Sequence, residues 1–250
     1  MKPLSTPPNV ETLRVGGIVP FSTVDYPGWL SAVVFCQGCP WRCRYCHNAH
    51  LRRFRSGTVP WDHVVEFMDK RRGRLEAIVF SGGEPTAQPG IENACRTARA
   101  LGFRVGLHTA GAYPEQLRRL IPLIDWVGLD VKAPFDARYD AITGRKNSWK
   151  APRQSLDIIL SAGVPYQLRT TVHRGLLNQE ALDDISSTLA QIGTQPTRWQ
   201  TFRPQGCKDE ELVNWAGGQP GEDSAAEAEE EHHLEHHEDH EHHEEPELVE

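Results

Sequence analysis

The stretch Ala32-Val33-Val34-Phe35-Cys36-Gln37-Gly38-Cys39-Pro40-Trp41-Arg42-Cys43-Arg44-Tyr45-Cys46-His47-Asn48 joins an apolar run to four of the six cysteines of this 250-residue chain. Its first part is β-branched and aromatic, and it predicts a buried strand over residues 30–35. The four thiols follow one another so closely that they can converge on a single metal centre. The stretch therefore predicts a strand that ends in a cysteine-rich metal site.

Downstream of this stretch, the chain alternates short apolar runs with longer helical segments. Further strands are predicted at residues 77–80, 104–109, 126–131, 166–172 and 198–202. Helices are predicted at residues 60–70, 91–101, 114–123, 153–161 and 180–192. This alternation indicates an α/β domain with a parallel sheet and right-handed crossovers. A doubly wound sheet and an incomplete β/α barrel both fit the pattern, and residues 13–21 add a short extended segment before it.

The two ends of the chain differ in composition from the body. The proline-rich start predicts a flexible lead-in over residues 1–12. Residues 221–250 hold 14 acidic residues, seven of the 12 histidines and no Lys or Arg. A disordered, acidic, histidine-rich tail is therefore predicted over residues 217–250, with transition-metal binding by its histidines as the alternative. Residues 13–216 are left for one domain.

Charge and hydropathy argue against several classes of protein. Residues 1–220 hold 27 basic and 20 acidic residues, but no dense basic stripe with interleaved aromatic residues marks a nucleic-acid site. No run of 18 or more apolar residues predicts a membrane span. The N-terminus lacks the apolar segment of a secretory signal, so a cytoplasmic location is expected. In a reducing compartment, clustered cysteines indicate metal or redox chemistry rather than disulfides.

The spacing Cys39-x3-Cys43-x2-Cys46 favours an iron–sulfur cluster over zinc. A structural zinc site normally takes four ligands, often as two well-separated Cys-x2-Cys pairs, and this chain has no such pair outside the one loop that holds Cys36, Cys39, Cys43 and Cys46. Three cysteines can hold three irons of a [4Fe–4S] cluster and leave the fourth iron open. Cys36 is expected to be a small buried residue at the strand end, with a ligand role as the alternative. A packing or capping role is expected for Cys207, and no role is assigned to Cys95.

Polar side chains of functional types follow the other predicted strands. Gly82-Gly83-Glu84 comes after the second strand, His108 after the third, and Asp130 and Lys132 after the fourth, while Arg169 lies on the fifth. Function gathers at the carboxyl ends of strands in both candidate folds. These residues are therefore expected to lie near the cysteines. His108 is as compatible with a satisfied buried histidine as with a site residue.

The three-cysteine spacing, with Tyr45 directly before the last cysteine, resembles the radical S-adenosylmethionine family. The resemblance implies that Cys39, Cys43 and Cys46 hold one [4Fe–4S] cluster, whose open iron binds the methionine amine and carboxylate of S-adenosylmethionine. An electron from the cluster then cleaves the cofactor to a 5′-deoxyadenosyl radical.

Gly82-Gly83-Glu84-Pro85 is similar to the Gly-Gly-Glu element of the same family. The resemblance implies that the backbone of this segment and the carboxylate of Glu84 receive the methionine ammonium group. Glycines permit a close backbone approach, and a charge-assisted hydrogen bond suits an ammonium group.

Four stretches together narrow the resemblance to the activating enzymes of glycyl-radical enzymes, and most of all to the anaerobic ribonucleoside-triphosphate reductase activating group. They are residues 16–28, 37–48, 82–85 and 130–134. The resemblance implies an incomplete (β/α)6 barrel whose radical removes a hydrogen atom from a glycine of a partner enzyme. It also implies a flavodoxin- or ferredoxin-type electron donor.

The resemblance assigns roles to the remaining candidates. Asp130 and Lys132 are expected to contact the cofactor and the substrate loop as catalytic residues. Tyr45 and His47 are expected to line the cofactor pocket, with His47 acting through hydrogen bonds. Arg169 is expected to pair with the cofactor carboxylate, and a lateral ion pair is the equally weighted alternative.

Two other classes of function stay open at this point. One is a radical enzyme that acts on a small molecule, such as a deazaguanine-forming synthase, which would turn over without a protein partner. The other is a non-enzymatic metal-binding protein with zinc in the cysteine loop.

Overall fold

Seven strands form one sheet in which the spatial order is the sequence order. The computed structural model describes residues 12–215. The predicted tail, and all but the last residue of the predicted lead-in, lie outside the described residues. The strands are β1 Val15–Ser22, β2 Ser31–Cys36, β3 Ala77–Gly82, β4 Arg104–Thr109, β5 Trp126–Asp130, β6 Tyr166–Val172 and β7 Arg198–Thr201.

Helices connect consecutive strands from β2 onwards, and a last short helix follows β7. They are α1 Trp61–Arg71, α2 Ile91–Ala100, α3 Pro114–Leu120, α4 Arg138–Thr143, α5 Lys150–Ala162, α6 Gln179–Ile192 and α7 Glu210–Val213. The six predicted strands and five predicted helices are confirmed in type, with small differences at their ends. The two short helices α4 and α7 were not predicted. No helix within residues 12–215 combines the length and the apolar composition needed to cross a membrane.

The order of the strands distinguishes the two candidate architectures. Strands β2 to β7 are parallel, and each pairs with the next one in sequence. A doubly wound sheet reverses its strand order at a switch point, and this sheet does not. The fold is therefore the predicted incomplete barrel of six parallel strands. Its edges, among the described residues, are β1 and β7.

Strand β1 differs from the prediction of an all-parallel barrel. The extended segment predicted at residues 13–21 is a strand antiparallel to β2, with Ser22 opposite Ser31 and Val15 opposite Cys36. A short loop suffices to join antiparallel strands, whereas parallel strands need a crossover. Only eight residues separate the two strands, so an antiparallel pairing is the one that this connection allows.

The two faces of the sheet carry different cores. One face packs against the helices through residues such as Val34, Phe80 and Leu129. On the other face, a smaller cluster fills the amino-terminal end of the barrel, with Tyr26 and Trp126 at a ring distance of 5.4 Å. Successive strand residues alternate between faces, and on β3 to β6 polar residues continue the inner face towards the carboxyl end. They are Ser81, His108, Asp130 and Arg169.

Gly128 gives these inner side chains room. A Cβ atom at this position would lie 2.9 Å from Trp126 Cη2, 3.0 Å from His108 Cδ2 and 3.1 Å from Arg169 Cζ. Real Cβ contacts are rarely that short, so a larger residue would push the inner layer apart.

Gly128→Ala is therefore expected to lower the free energy of unfolding by about 1–3 kcal/mol, because it overpacks the inner layer. The matched control is Gly17→Ala on β1, where a Cβ would meet no atom within 4 Å. That control is expected to stay within about 0.5 kcal/mol of the parent. Equal effects of the two substitutions in urea unfolding would contradict the packing described for the barrel interior.

Candidate active site at the carboxyl edge of the sheet

The cysteine loop, residues 37–48, leaves the carboxyl end of β2 and is fixed first by the chain that follows it. The amide of Gly38 donates to the Leu51 carbonyl over 2.7 Å, and the amide of Cys39 donates to the Arg52 carbonyl over 3.0 Å. The buried Gln37 side chain donates to the Arg53 carbonyl over 2.7 Å. The first half of the loop is thus held to residues 51–53.

The second half of the loop is held by α4. The amides of Arg42 and Arg44 donate to the carbonyls of Thr143 and Ile142, both over 3.0 Å. The helix ends at Gly144, which adopts the left-handed conformation with φ 68°. A residue of that conformation closes many helices, so glycine here was the available sequence signal for α4.

The four loop cysteines differ in their surroundings. Cys36 is fully buried at the end of β2, as predicted, and burial raises the pKa of its thiol well above the usual value. Cys43 is 8% exposed, while Cys39 and Cys46 are partly exposed. The structure therefore separates Cys36, inside the core, from the three cysteines of the predicted ligand set.

The three remaining thiols are the type of donor that an iron–sulfur cluster takes. Within residues 12–215, no three His, Cys, Asp or Glu side chains are placed to hold one metal ion. A cluster makes no such demand, because each thiolate binds a different iron. Burial raises the pKa of Cys43 to about 11, but Lys132 opposes the rise. This cation favours the thiolate form that metal binding requires.

The Gly-Gly segment after β3 packs directly on the cysteine loop. The amide of Gly83 donates to the Cys36 carbonyl and the amide of Glu84 donates to the Gly38 carbonyl, both over 2.9 Å. A Cβ on Gly83 would overlap the Gly38 carbonyl, and Gly82 has a φ of 104°. Both glycines are thus required by the contact between the two loops.

Glu84 has a structural role that the sequence did not reveal. Its carboxylate is fully buried, and Oε1 accepts from the Thr109 hydroxyl over 2.6 Å and from both the amide and the hydroxyl of Thr86. Oε2 accepts from the Ala110 amide over 2.8 Å. Both oxygens therefore already accept hydrogen bonds from this chain. The cofactor-binding role of Gly82, Gly83 and Glu84 stays a prediction, and the backbone is the part of the segment that suits it.

Asp130 lies between two cations. Arg169 donates to Asp130 Oδ1 through Nη2 over 2.8 Å and through Nε over 3.1 Å, and Lys132 Nζ lies 3.3 Å from Oδ2. Burial opposes ionisation of Asp130, but Arg169 and Lys132 outweigh it and lower the pKa to about 2. Lys132 Nζ also lies 5.7 Å from the centre of the buried Tyr45 ring. The structure thus brings Tyr45, Asp130, Lys132 and Arg169 together, and it shows the lateral ion pair weighed for Arg169.

His47 and His108, the two histidines weighed as site residues from the sequence, lie in different surroundings. His108 is buried; its Nε2 lies 2.8 Å from the Asp25 carbonyl, and burial lowers its pKa to about 3. This supports the interpretation of His108 as a satisfied buried histidine. His47 is exposed, and its Nδ1 lies 3.2 Å from the Arg203 carbonyl. Its contact is therefore with the C-terminal segment, and its predicted cofactor role stays a prediction.

The C-terminal segment, residues 202–215, lies on the cysteine loop. Arg44 pairs with Asp209 over 2.7 Å and with Glu211 over 2.6 Å. Cys207 donates from Sγ to the Arg44 carbonyl over 3.3 Å, a contact that agrees with the packing role weighed for it, while the capping alternative stays a prediction. Sequence reasoning missed the contact because about 165 residues separate the partners, and no local pattern links them.

A family model described as the radical SAM superfamily matches residues 33–189. A Methanocaldococcus jannaschii protein named as a glycyl-radical enzyme activating enzyme is 34% identical over 204 residues, which cover 79% of this chain and 83% of that protein. The pyruvate formate-lyase-activating enzyme of Clostridium pasteurianum is 30% identical over 141 residues, covering 53% of this chain and 58% of the relative.

The fold is also similar to a solved structure, that of anSMEcpe with bound AdoMet and a Cp18Cys peptide. The TM-score is 0.52 at 16% identity, and the match covers 66% of this chain and 48% of the other. At that identity the likeness shows the fold alone. The superfamily uses a [4Fe–4S] cluster and S-adenosylmethionine, which the thiol set of the loop fits. The partial barrel, the cysteine loop at its carboxyl edge and the match over residues 33–189 agree, and the chain belongs to the radical SAM superfamily.

Proposed function

We propose that this protein activates a glycyl-radical enzyme, and that the partner is an anaerobic ribonucleoside-triphosphate reductase. The match along 83% of a relative named as a glycyl-radical enzyme activating enzyme carries the proposal. The four stretches of resemblance in the sequence support the choice of reductase as the partner.

Cys39, Cys43 and Cys46 would hold the cluster in this proposal. The reduced cluster would supply the one electron that cleaves bound S-adenosylmethionine to methionine and a 5′-deoxyadenosyl radical, which would remove a hydrogen atom from a glycine of the partner. Cys36 stays outside the ligand set in this proposal because it is fully buried at the end of β2. The bonds from Gly83 and Glu84 to the loop hold the cysteines in place before any ligand binds.

The charged residues at the site bind and orient the cofactor in this proposal. Asp130 fixes Arg169 through Nε and Nη2, which leaves Nη1 of the guanidinium for a ligand carboxylate. The same carboxylate draws Lys132 to the face of Tyr45, next to Cys43. One aspartate thus positions both cations that face the cofactor.

The open side of the barrel supports a protein substrate. Strands β1 and β7 form the two edges of the sheet among the described residues, so the barrel is not closed by pairing between them. A glycine in a peptide loop has no side chain to grip, and access for the backbone is the feature that such a substrate requires. An incomplete barrel offers that access from its open side, between β1 and β7.

The test of the proposal is activation of a purified anaerobic ribonucleotide reductase under anaerobic conditions, with a reductant and S-adenosylmethionine. Electron paramagnetic resonance is expected to show a glycyl radical on the reductase, and 5′-deoxyadenosine should form in step with it. Replacing the reductase glycine that carries the radical with alanine is the control. Multiple turnovers on a small molecule without a protein partner, or a colourless zinc protein after reconstitution, would contradict the proposal.

Asp130→Asn is expected to reduce cleavage of S-adenosylmethionine by about 10- to 100-fold while iron content stays unchanged, because two cations lose the group that orients them. Asp69→Asn is the matched control, since Asp69 also pairs with an arginine, at the protein surface. Its activity is expected to equal that of the parent. Loss of iron from Asp130→Asn protein, or full activity, would argue against the positioning role.

A further inference from the structure

A polar pocket of about 310 Å³ opens to the surface beside two of the proposed cluster ligands. Cys43 and Cys46 line it together with Asp209 and four cations, which are Arg42, Arg44, Arg52 and Lys208. The position of this pocket beside Cys43 and Cys46 bears on how electrons reach the cluster, an inference that rests on the proposed function.

The cations of this pocket are unequally paired. Arg44 is neutralised by Asp209 and Glu211. Arg42, Arg52 and Lys208 have no carboxylate partner among residues 12–215. Arg42 and Lys208 are exposed to solvent. The mouth of the pocket therefore carries a net positive charge.

The positive surface extends to the loop after α4. A Cβ on Gly144 would lie 3.8 Å from the Arg42 side chain, and the exposed residues Arg145 and Lys146 follow directly. Neither has a carboxylate partner within the described part of the chain. We name the set of five unpaired cations the basic rim: Arg42, Arg52, Arg145, Lys146 and Lys208.

Arg42 and Lys208 of the basic rim lie at the protein surface, whereas Tyr45 and Lys132, which the proposed function places at the cofactor, are buried. Gly38 and Cys39 turn towards the Gly-Gly segment, and the Glu84 carboxylate adds to the rise in the Cys39 pKa that burial causes. Cys43 and Cys46 line the pocket that opens outward between the loop and Lys208. A partner at the rim can thus approach the ligands without entering the barrel.

We propose that the basic rim is the docking surface for an acidic one-electron carrier protein, which reduces the cluster through the pocket beside Cys43 and Cys46. Electron transfer slows steeply with distance, so the carrier must place its redox group near the ligands, and the pocket is where two of them reach the surface. One electron leaves the reduced carrier and enters the cluster; no bond forms or breaks, and no proton moves.

The positive charge of the basic rim favours a partner protein with an acidic surface. Complementary charges steer association and fix the orientation of the partners, and they make the rate fall as salt rises. The pocket lining has no aromatic side chain on which bases could stack, which disfavours a nucleic acid. The competing occupant is an acidic surface of the glycyl-radical enzyme itself.

The test compares two double variants of equal charge change. Arg42→Glu with Lys208→Glu reverses the rim, and Arg74→Glu with Arg119→Glu places the same change at the opposite edge of the sheet. Arg74 precedes β3 and Arg119 lies near the end of α3, and both are exposed. Binding of purified flavodoxin to the cluster-free protein is measured first, followed by stopped-flow reduction of the reconstituted cluster by reduced flavodoxin.

Relative to the parent, the rim variant is expected to bind flavodoxin at least about tenfold more weakly and to be reduced by it at least about tenfold more slowly. The opposite-edge variant is expected to match the parent in both measurements. High salt should remove the difference. Photoreduction with deazaflavin is the control for an intact cluster and should be equal in all three proteins. Arg145→Glu with Lys146→Glu provides a second rim variant should the first fail to fold.

Several outcomes would overturn the inference. One is that the rim variant binds flavodoxin and is reduced by it as well as the parent. Another is that the parent binds neither flavodoxin nor ferredoxin. A third is that the rim variant is reduced normally but loses affinity for the glycyl-radical enzyme. The last outcome would assign the rim to that enzyme. Failure of the parent to cleave S-adenosylmethionine after deazaflavin reduction would instead refute the proposed function, and the binding measurement on cluster-free protein would still decide the role of the rim.

Discussion

The site depends on the backbone contact between the cysteine loop and the Gly-Gly segment. The parallel register of β2 and β3 sets Cys36 opposite Gly82, so two loops must leave the sheet side by side. They fit only because Gly82 and Gly83 have no side chains, and two amide-to-carbonyl bonds then join the loops. A larger residue at either glycine would displace the loop that carries the three cysteines, because its Cβ would meet backbone atoms.

Two carboxylates, the buried Glu84 and the partly exposed Asp130, extend this order from strand to strand. Glu84 binds the end of β4 through Thr109 and Ala110, and Asp130 at the end of β5 binds Arg169 on β6. Each carboxylate has opposite charges or several donors around it, which offsets the cost of its burial. The carboxyl ends of the strands therefore carry a connected layer of polar side chains, and the apolar cluster of Tyr26 and Trp126 fills the amino-terminal end of the barrel. A radical initiator needs such a layer, since the cofactor must be held rigidly beside the cluster.

The sequence predicted what is local and repetitive. Apolar runs identified all six parallel strands, and the spacing of Cys39, Cys43 and Cys46 predicted a metal-binding loop, which the structure places at the carboxyl end of β2. Periodicity could not distinguish a barrel from a doubly wound sheet, because the difference lies in which strands become neighbours. The partners of Glu84 and the salt bridges of Arg44 were missed for the same reason: they join residues that only the fold brings together. A short helix such as α4 has too few residues for a clear apolar period.

The most direct test of the account is iron retention in four single variants after anaerobic reconstitution. Cys36→Ala protein is expected to keep about four irons per chain and to cleave S-adenosylmethionine. Cys39→Ala, Cys43→Ala and Cys46→Ala proteins are each expected to lose the intact cluster and the cleavage reaction. Loss of the cluster from Cys36→Ala protein, together with a retained cluster in Cys39→Ala protein, would contradict the assignment. That assignment makes Cys39, Cys43 and Cys46 the ligands and leaves the buried Cys36 outside the cluster.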